Sequence, residues 1–170
     1  MDANSNKSDE DVFSSSLPLE KVNLIYNPTL ILDENDGLIY EGKMLLDAED
    51  YQQAISKFTE QIKISFNSNK KYTFYLYRDS FYLRGFAFYK LKKYTNAIND
   101  FDTLLSIDPR YYDALYWRGH SNYILRNYTE AFKDSSKLVA IRGHEKNSSL
   151  STNSLSIMND SKFMMSLVNQ

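Results

Sequence analysis

Small, aromatic and apolar residues recur at a fixed interval through the middle of the chain. Three times over, a glycine is followed by a tyrosine nine residues later and by an alanine twelve residues later. The second and third copies are separated by a period that stacked-repeat proteins use, about 34 residues. The first copy precedes the second by one such period plus nine residues. Proteins with this periodicity usually act by presenting a surface. The three sets are Gly42, Tyr51 and Ala54; Gly85, Tyr94 and Ala97; and Gly119, Tyr128 and Ala131.

Each copy predicts two helices, so we expect an all-α protein of three antiparallel helix pairs. Glycine inside a helix costs about 1 kcal/mol relative to alanine, so its repeated use indicates a place where two helices cross closely. Pro109 predicts the end of the fourth helix. The predicted helices are 36–48, 51–68, 76–92, 94–107, 111–126 and 128–142.

We assign residues 35–143 to the repeat domain, with units at 35–68, 78–111 and 112–143. The remaining stretch, 69–77 (NKKYTFYLY), is an insertion between the first two units. It is apolar enough to lengthen the helices beside it, and nine residues correspond to about 2.5 helical turns.

Charged residues also follow the repeat. Arg84 precedes Asp100 by sixteen positions, and Arg118 precedes Asp134 by the same distance. The first unit has Glu41 and Lys57 at these places, with the signs exchanged. The pattern predicts an ion pair between the two helices of each unit. The alternative is a chance pattern on solvated faces.

The two ends of the chain differ from the repeats. Residues 1–16 are rich in Ser, Asp and Asn and are predicted to be disordered, whereas 17–34 are apolar and predicted to be extended. Residues 144–170 begin as a polar linker and end in an apolar stretch that can form one helical face. Three alternatives are open for that stretch: it caps the last unit, it docks on a partner or in the protein's own groove, or it stays disordered. The apolar residues of this face are Ile157, Met158, Met164, Met165 and Val168.

The motif between the repeated glycines resembles the tetratricopeptide repeat (TPR), a helix–turn–helix unit of about 34 residues. The resemblance covers roughly Asn35 to Ile141, and the second unit fits the signature best. It implies a right-handed α-solenoid in which the first helix of each unit lines a concave groove. The matching residues of the second unit are Phe81, Arg84, Gly85, Phe88, Ala97, Phe101 and Pro109.

The resemblance also implies a peptide-binding groove, and the positions expected there carry many aromatic side chains. Tyrosine and tryptophan offer large contact areas with a polar tip, which suits peptide binding. The alternatives are that the aromatic residues pack between helices or are covered by the tail, and that Asp36, Asp79 and Asp113 only complement helix dipoles. The predicted groove residues are Tyr40, Lys43, Asp79, Tyr82, Phe86, Tyr89, Asp113, Tyr116, Trp117, His120 and Tyr123. We expect Trp117, Tyr82 and Phe86 to be the main anchors.

Some members of this family clamp the acidic C-termini of heat-shock chaperones with Lys, Asn and Arg side chains. In this sequence the five clamp positions hold other residues, although one keeps a positive charge. Asp113 would repel an incoming carboxylate. We therefore do not expect that ligand. The five positions are Ile39, Lys43, Leu83, Asp113 and Trp117.

Composition narrows the functional classes. The 170 residues suggest one domain, and the net charge of −2 gives no basic surplus for binding phosphate backbones. There is no cysteine, the two histidines are far apart in sequence, and no apolar run approaches the length of a membrane span. We expect no cofactor, no metal and no catalysis.

The leading prediction is a cytoplasmic adaptor or scaffold that binds a protein or peptide partner, with a nuclear location left open. A co-chaperone with a different ligand choice and an RNA-binding helical repeat are the alternatives. The sequence leaves the oligomeric state open.

Overall fold

A computed structural model describes residues 34–67, 73–142 and 149–168 of the chain. The regular structure of these residues is entirely helical. Their seven helices are α1 (Glu34–Asp47), α2 (Tyr51–Phe66), α3 (Thr73–Lys90), α4 (Tyr94–Ile107), α5 (Tyr112–Ile124), α6 (Tyr128–Arg142) and α7 (Ser149–Val168).

Neighbouring helices pack together in chain order, as a repeat stack requires. The pairs α1–α2, α3–α4 and α5–α6 are the three predicted units. The first helix of each later unit also contacts the first helix of the unit before it, so α3 touches α1 and α5 touches α3. This arrangement confirms the predicted all-α solenoid.

The insertion contributes to a helix as expected. Helix α3 begins at Thr73, so residues 73–77 of the predicted insertion are helical, whereas 69–72 lie outside the described residues. Of the predicted terminal segments, 1–16 and all of 17–34 except Glu34 lie outside the described residues as well.

The two helices of each unit approach closely at the repeated glycine. A Cβ atom on Gly42 would collide with the ring of Phe58, and a Cβ on Gly85 would lie 2.8 Å from Cε1 of Phe101. Ser135 replaces the phenylalanine in the third unit, and there a Cβ on Gly119 would lie 3.1 Å from the Cβ of Asp134. The repeated alanines, Ala54, Ala97 and Ala131, are all fully buried. The predicted crossing sites are confirmed.

The turn inside each unit uses the same backbone conformation three times. Glu49, Lys92 and Arg126 have positive φ angles of 58°, 58° and 64°. In the middle unit the Lys92 amide donates to the Tyr89 carbonyl and the next amide donates to the Phe88 carbonyl. These are the two hydrogen bonds of a Schellman motif, and they occur in the other two turns at equivalent positions.

The predicted ion pairs form in all three units. Arg84 makes two hydrogen bonds to the Asp100 carboxylate, at 2.8 and 2.7 Å. Arg118 does the same to Asp134, at 2.8 and 2.6 Å. The reversed pair of the first unit joins Lys57 Nζ to Glu41 Oε2 at 2.6 Å.

The two arginines also reach back to the preceding unit. Arg84 donates to the Thr59 hydroxyl on α2 at 3.1 Å, and Arg118 donates to the Asp102 carboxylate on α4 at 2.6 Å. Thr59 and Asp102 are equivalent positions, since their separation equals that of Gly42 and Gly85. Each arginine therefore joins three helices.

Burial opposes ionisation of the acidic partners. It raises the pKa of Asp100 and of Asp134, although the hydrogen bonds from Arg84 and Arg118 lower both. A buried ion pair of this kind adds little net stability, but losing one partner leaves an uncompensated buried charge.

The C-terminal helix α7 covers the last unit. It contacts α6 and also α5, as α3 contacts α2 and α1. Ser154, Ile157 and Ser161 form its buried side, with Met158 and the two methionines at 164 and 165 half-buried beside them. Of the alternatives open for the tail, these contacts support the capping helix.

We predict that Gly85→Ala lowers the free energy of unfolding. Overpacking against Phe101 typically costs about 1–3 kcal/mol, which outweighs the roughly 1 kcal/mol that alanine gains in a helix. The matched control is Gly37→Ala, because a Cβ on Gly37 meets no atom within 4 Å and should leave stability unchanged or higher. Urea unfolding checks both variants. A Gly85→Ala protein as stable as Gly37→Ala would show that the crossing is looser than described.

We also predict that Arg84→Leu lowers the free energy of unfolding at pH 7 by about 3–5 kcal/mol, because the Asp100 carboxylate stays buried without its partner. The free energy of unfolding should fall less in the double variant Arg84→Leu with Asp100→Leu.

The pH dependence follows from the same pair. Arg84 lowers the pKa of Asp100 in the folded protein. In the single variant Arg84→Leu this pKa therefore lies further above the pKa of Asp100 in the unfolded chain. The folded variant then takes up a proton more readily than the unfolded chain, and its deficit relative to wild type should shrink as pH falls from 7 towards 4. A deficit that stays constant with pH, or a double variant no better than the single one, contradicts this account.

Candidate functional site

The predicted groove residues all lie on the first helices of the three units, but they differ in exposure. Tyr40 is 58% exposed. A second group is half-buried and a third belongs to the hydrophobic core. The half-buried residues are Lys43, Asp79, Tyr89, Asp113, His120 and Tyr123, and the core residues are Tyr82, Phe86, Tyr116 and Trp117.

The core residues form an aromatic cluster between the second and third units. The ring centroid of Trp117 lies 5.2 Å from that of Phe86, 4.7 Å from that of Tyr89 and 4.9 Å from that of Tyr116. Burial raises the pKa of the Tyr82 hydroxyl, and the neighbouring Trp117 side chain lowers it. The cluster thus joins α3 to α5.

The prediction that Trp117, Tyr82 and Phe86 contact a ligand directly needs correction. Their side chains are 5%, 8% and 7% exposed, so almost no surface is left for a partner. The physical reason is that α5 packs on α3, and large rings fill the space between the two helices. This is the alternative of packing between helices.

Two half-buried side chains lie on the outer edge of this cluster. The Tyr89 hydroxyl and His120 Nδ1 are 2.8 Å apart, which is hydrogen-bonding distance. The His120 ring stacks on the ring of Tyr116, with an interplanar angle of 16°. Both polar tips are therefore held in place by buried rings rather than by flexible loops.

The repeated tyrosines at the start of the second helices support the same face. Tyr94 packs edge-on against Tyr89 at 5.6 Å, and Tyr128 packs in the same way against Tyr123 at 6.0 Å. Helix α7 reaches this edge through Asp160, whose negative charge acts on the Tyr123 hydroxyl. Burial is the main cause that raises the pKa of Tyr123, and the Asp160 charge adds to it.

A charged cluster lies beside Tyr111, at the start of α5. Arg78 pairs with Asp79 at 3.0 Å and with Asp108 at 3.3 Å, and its guanidinium lies 5.4 Å from the centroid of the Tyr111 ring. Burial raises the pKa of Tyr111, and the negative charges of Asp79, Asp113 and Asp108 raise it further. The negative charges of Asp79 and Asp113 therefore both act on Tyr111.

Sequence reasoning missed Arg78 and Tyr111. A signal for Tyr111 exists, because it follows Tyr77 by one repeat period, the distance between Gly85 and Gly119. Both tyrosines make ring contacts, Tyr111 with Tyr82 at 5.0 Å and Tyr77 with Phe81 at 4.9 Å. Arg78 has no such repeat, since the equivalent residue in the third unit is Tyr112.

Three of the five positions of the chaperone clamp are apolar and buried in this chain. Ile39, Leu83 and Trp117 are between 5% and 8% exposed. Lys43 is half-buried and Asp113 carries a negative charge. Lys43 is thus the one cationic side chain among these five positions.

A metal site and a membrane-spanning helix are both absent from the described residues. They contain no cluster of three or more His, Asp or Glu side chains that could hold a metal ion. Among the helices described, none combines the length and the apolar character that crossing a membrane requires.

Comparison with known proteins agrees with this architecture. The TPR repeat family model matches residues 79–124, which span the second unit and the start of the third. A comparison with curated protein sequences finds no match.

Several solved structures have the same fold. The Sgt2 TPR domain from Aspergillus fumigatus is 19% identical with a TM-score of 0.62, over 80% of this chain and 82% of that one. The C-terminal TPR-containing domain of a putative FK506-binding protein from Plasmodium falciparum is 16% identical with a TM-score of 0.65, over 79% and 90%.

A third similar structure is the TPR2AB domain of yeast Sti1 in complex with pHSP90. It is 17% identical with a TM-score of 0.62, and the match covers 85% of this chain but 52% of that one. Residues 79–124 thus match the TPR repeat family model, and the fold of the described residues is the fold of these TPR domains.

Proposed function

We infer that this chain is a non-catalytic adaptor or scaffold that binds a peptide segment of another protein on the face formed by α1, α3 and α5. TPR domains in general mediate contacts between proteins, and the fold of this chain is theirs. The finer assignment to this face rests on its side chains.

The observation that carries the proposal is the pairing of Tyr89 with His120 on the aromatic cluster. Their ring centroids are 5.6 Å apart, and both rings contact Trp117, which is buried. Partly exposed aromatic groups with polar tips, held rigidly, lose little conformational entropy when they bind a ligand. The buried members of the cluster hold the face in shape, and the half-buried members contact the ligand.

The charges of this face favour one kind of ligand. Asp79 on α3 and Asp113 in the first turn of α5 both act on Tyr111 with their negative charge, and Arg78 offsets part of that charge. A ligand with apolar or aromatic anchors and a basic residue near these aspartates fits best.

We predict that Tyr89→Ala together with His120→Ala weakens partner binding before it unfolds the domain. Interface aromatic groups often contribute about 2 kcal/mol or more, which corresponds to a roughly thirtyfold loss of affinity. The partner is first identified by affinity capture and mass spectrometry with the wild-type chain. Its affinity for both proteins is then measured by isothermal titration calorimetry.

The control variant is Phe132→Ala, because Phe132 is also half-buried but lies on α6, a second helix of its unit. Circular dichroism melting shows whether each variant is folded. If Phe132→Ala weakens binding as much as the double variant does, the partner does not use this face. Trp117→Ala is a poor test of binding, because the side chain is in the core.

A co-chaperone with a ligand other than the acidic chaperone tail is the alternative within the same class. We predict that a peptide with acidic residues before a free C-terminal carboxylate binds poorly, because Leu83 and Trp117 are buried and Asp113 is negative. Fluorescence anisotropy with a labelled peptide checks this. Micromolar binding that disappears in Lys43→Ala would instead assign the chaperone tail as the ligand.

An RNA-binding helical repeat is the alternative from a different class. The balance of 20 basic and 22 acidic residues argues against it, since binding to phosphate backbones needs a basic surface. A binding assay at 50 and 200 mM salt separates the two classes, because RNA affinity falls steeply with salt.

We place the adaptor in the cytoplasm, with the nucleus as the alternative. The oligomeric state stays open.

A further inference from the structure

Helices α3 and α5, which begin the later units, and the C-terminal helix α7 share a buried stripe with the same order of small and large residues. Each stripe has a small residue, a large apolar residue three positions later and a small residue four positions after that. All of these side chains are at most 8% exposed. The stripes are Ser80, Leu83 and Ala87 on α3; Ala114, Trp117 and Ser121 on α5; and Ser154, Ile157 and Ser161 on α7.

The stripe packs on the unit before it. Trp117 of α5 contacts Phe86 and Tyr89, which belong to α3. Helix α7 packs on α6 and α5, so its buried stripe faces the third unit. We call this stripe the stacking face, because it is the side by which each unit joins its predecessor.

Helix α1 has the equivalent three positions, and no helix of the described residues covers them. Shifting the stripe of α3 back by the distance between Gly85 and Gly42 gives Gly37, Tyr40 and Met44. Tyr40 is 58% exposed and Met44 is 57% exposed. An added Cβ on Gly37 would meet no atom within 4 Å. The stacking face of α1 is thus an exposed apolar stripe with a small residue at one end.

The charge next to this stripe is reversed relative to the other units. Arg84 and Arg118 each bond their own unit and the second helix of the preceding unit. Glu41 holds the equivalent position on α1, pairs with Lys57 of its own unit, and has a side chain that is 55% exposed. A group docked in front of α1 therefore meets a carboxylate where the later units present an arginine.

We propose that the stacking face of α1 is a second interaction surface, and that it binds an amphipathic α-helix of another protein with a lysine or arginine opposite Glu41. Within the chain, each covered stacking face has the second helix of the preceding unit as a neighbour: α2 for α3, α4 for α5 and α6 for α7. The small Gly37 lets the docked helix approach closely, and Tyr40 and Met44 supply the apolar contact. The negative charge of Glu41 selects the basic residue.

The probe for this surface is a stapled helical peptide with the sequence of residues 51–66, because α2 is the second helix of the unit before α3 and packs on α3. Thr59 of this sequence is the residue that Arg84 contacts. One peptide carries Thr59→Lys and its control carries Thr59→Asp. We expect the lysine peptide to bind the full chain at least tenfold more tightly by fluorescence anisotropy.

Variants of the full chain locate the binding. Tyr40→Asp should abolish binding of the lysine peptide, and Met44→Asp is a second variant on the same stripe should the first fail to fold. Phe163→Asp is the matched control, since Phe163 is 62% exposed on α7 at the other end of the described stack and should bind normally. Binding that survives both substitutions in folded protein overturns the proposal.

A charge exchange tests the role of Glu41. Glu41→Lys together with Lys57→Glu keeps the pair within the first unit but gives it the polarity of the other two. The exchanged protein should prefer the aspartate peptide. An unchanged preference overturns the proposal. The proposal is also overturned if neither peptide binds at 100 µM, a concentration well above the ~1 µM of moderate interfaces. A wild-type chain that light scattering shows to be a dimer while Tyr40→Asp is a monomer overturns it as well, because the occupant is then a second copy.

Discussion

The close approach of two helices at a glycine is the contact on which the rest of this structure depends. At Gly42 and Gly85 an aromatic ring of the partner helix occupies the space that a Cβ would take. This contact sets the distance between the helices of a unit, and the ion pair beside it sets their alignment. Because Arg84 and Arg118 also bond the preceding unit, the alignment of one pair is carried to the next.

A stack built in this way has two end surfaces, and the chain treats them differently. Helix α7 covers the last unit with a stripe of Ser154, Ile157 and Ser161, and its exposed side combines polar residues such as Asn159 and Lys162 with Phe163. Helix α1 repeats that stripe with larger apolar side chains, which are exposed. The same packing rule therefore explains both the cap and the surface that we propose for a partner helix.

The face that we propose for a peptide ligand combines a buried interior with half-buried edges. Trp117 fills the space between α3 and α5, so that Tyr89 and His120 are held on packed rings. Asp79 and Asp113 add negative charge at one side, beside the half-buried Tyr111. Affinity on such a face depends on the few side chains that reach solvent, whereas its stability depends on those that do not.

The sequence by itself determined the helix pairs, their crossing points and their ion pairs, because each of these depends on spacing within one repeat. Gly85 with Phe101 and Arg84 with Asp100 have the same separation along the chain, and a fixed helix–turn–helix geometry turns that spacing into contact. The sequence did not determine whether Trp117, Tyr82 and Phe86 face a ligand or a neighbouring helix. Side-chain exposure depends on how closely consecutive units stack, and only the tertiary structure decided that these rings fill the space between α3 and α5, while Tyr40, on the first helix of the first unit, stays exposed.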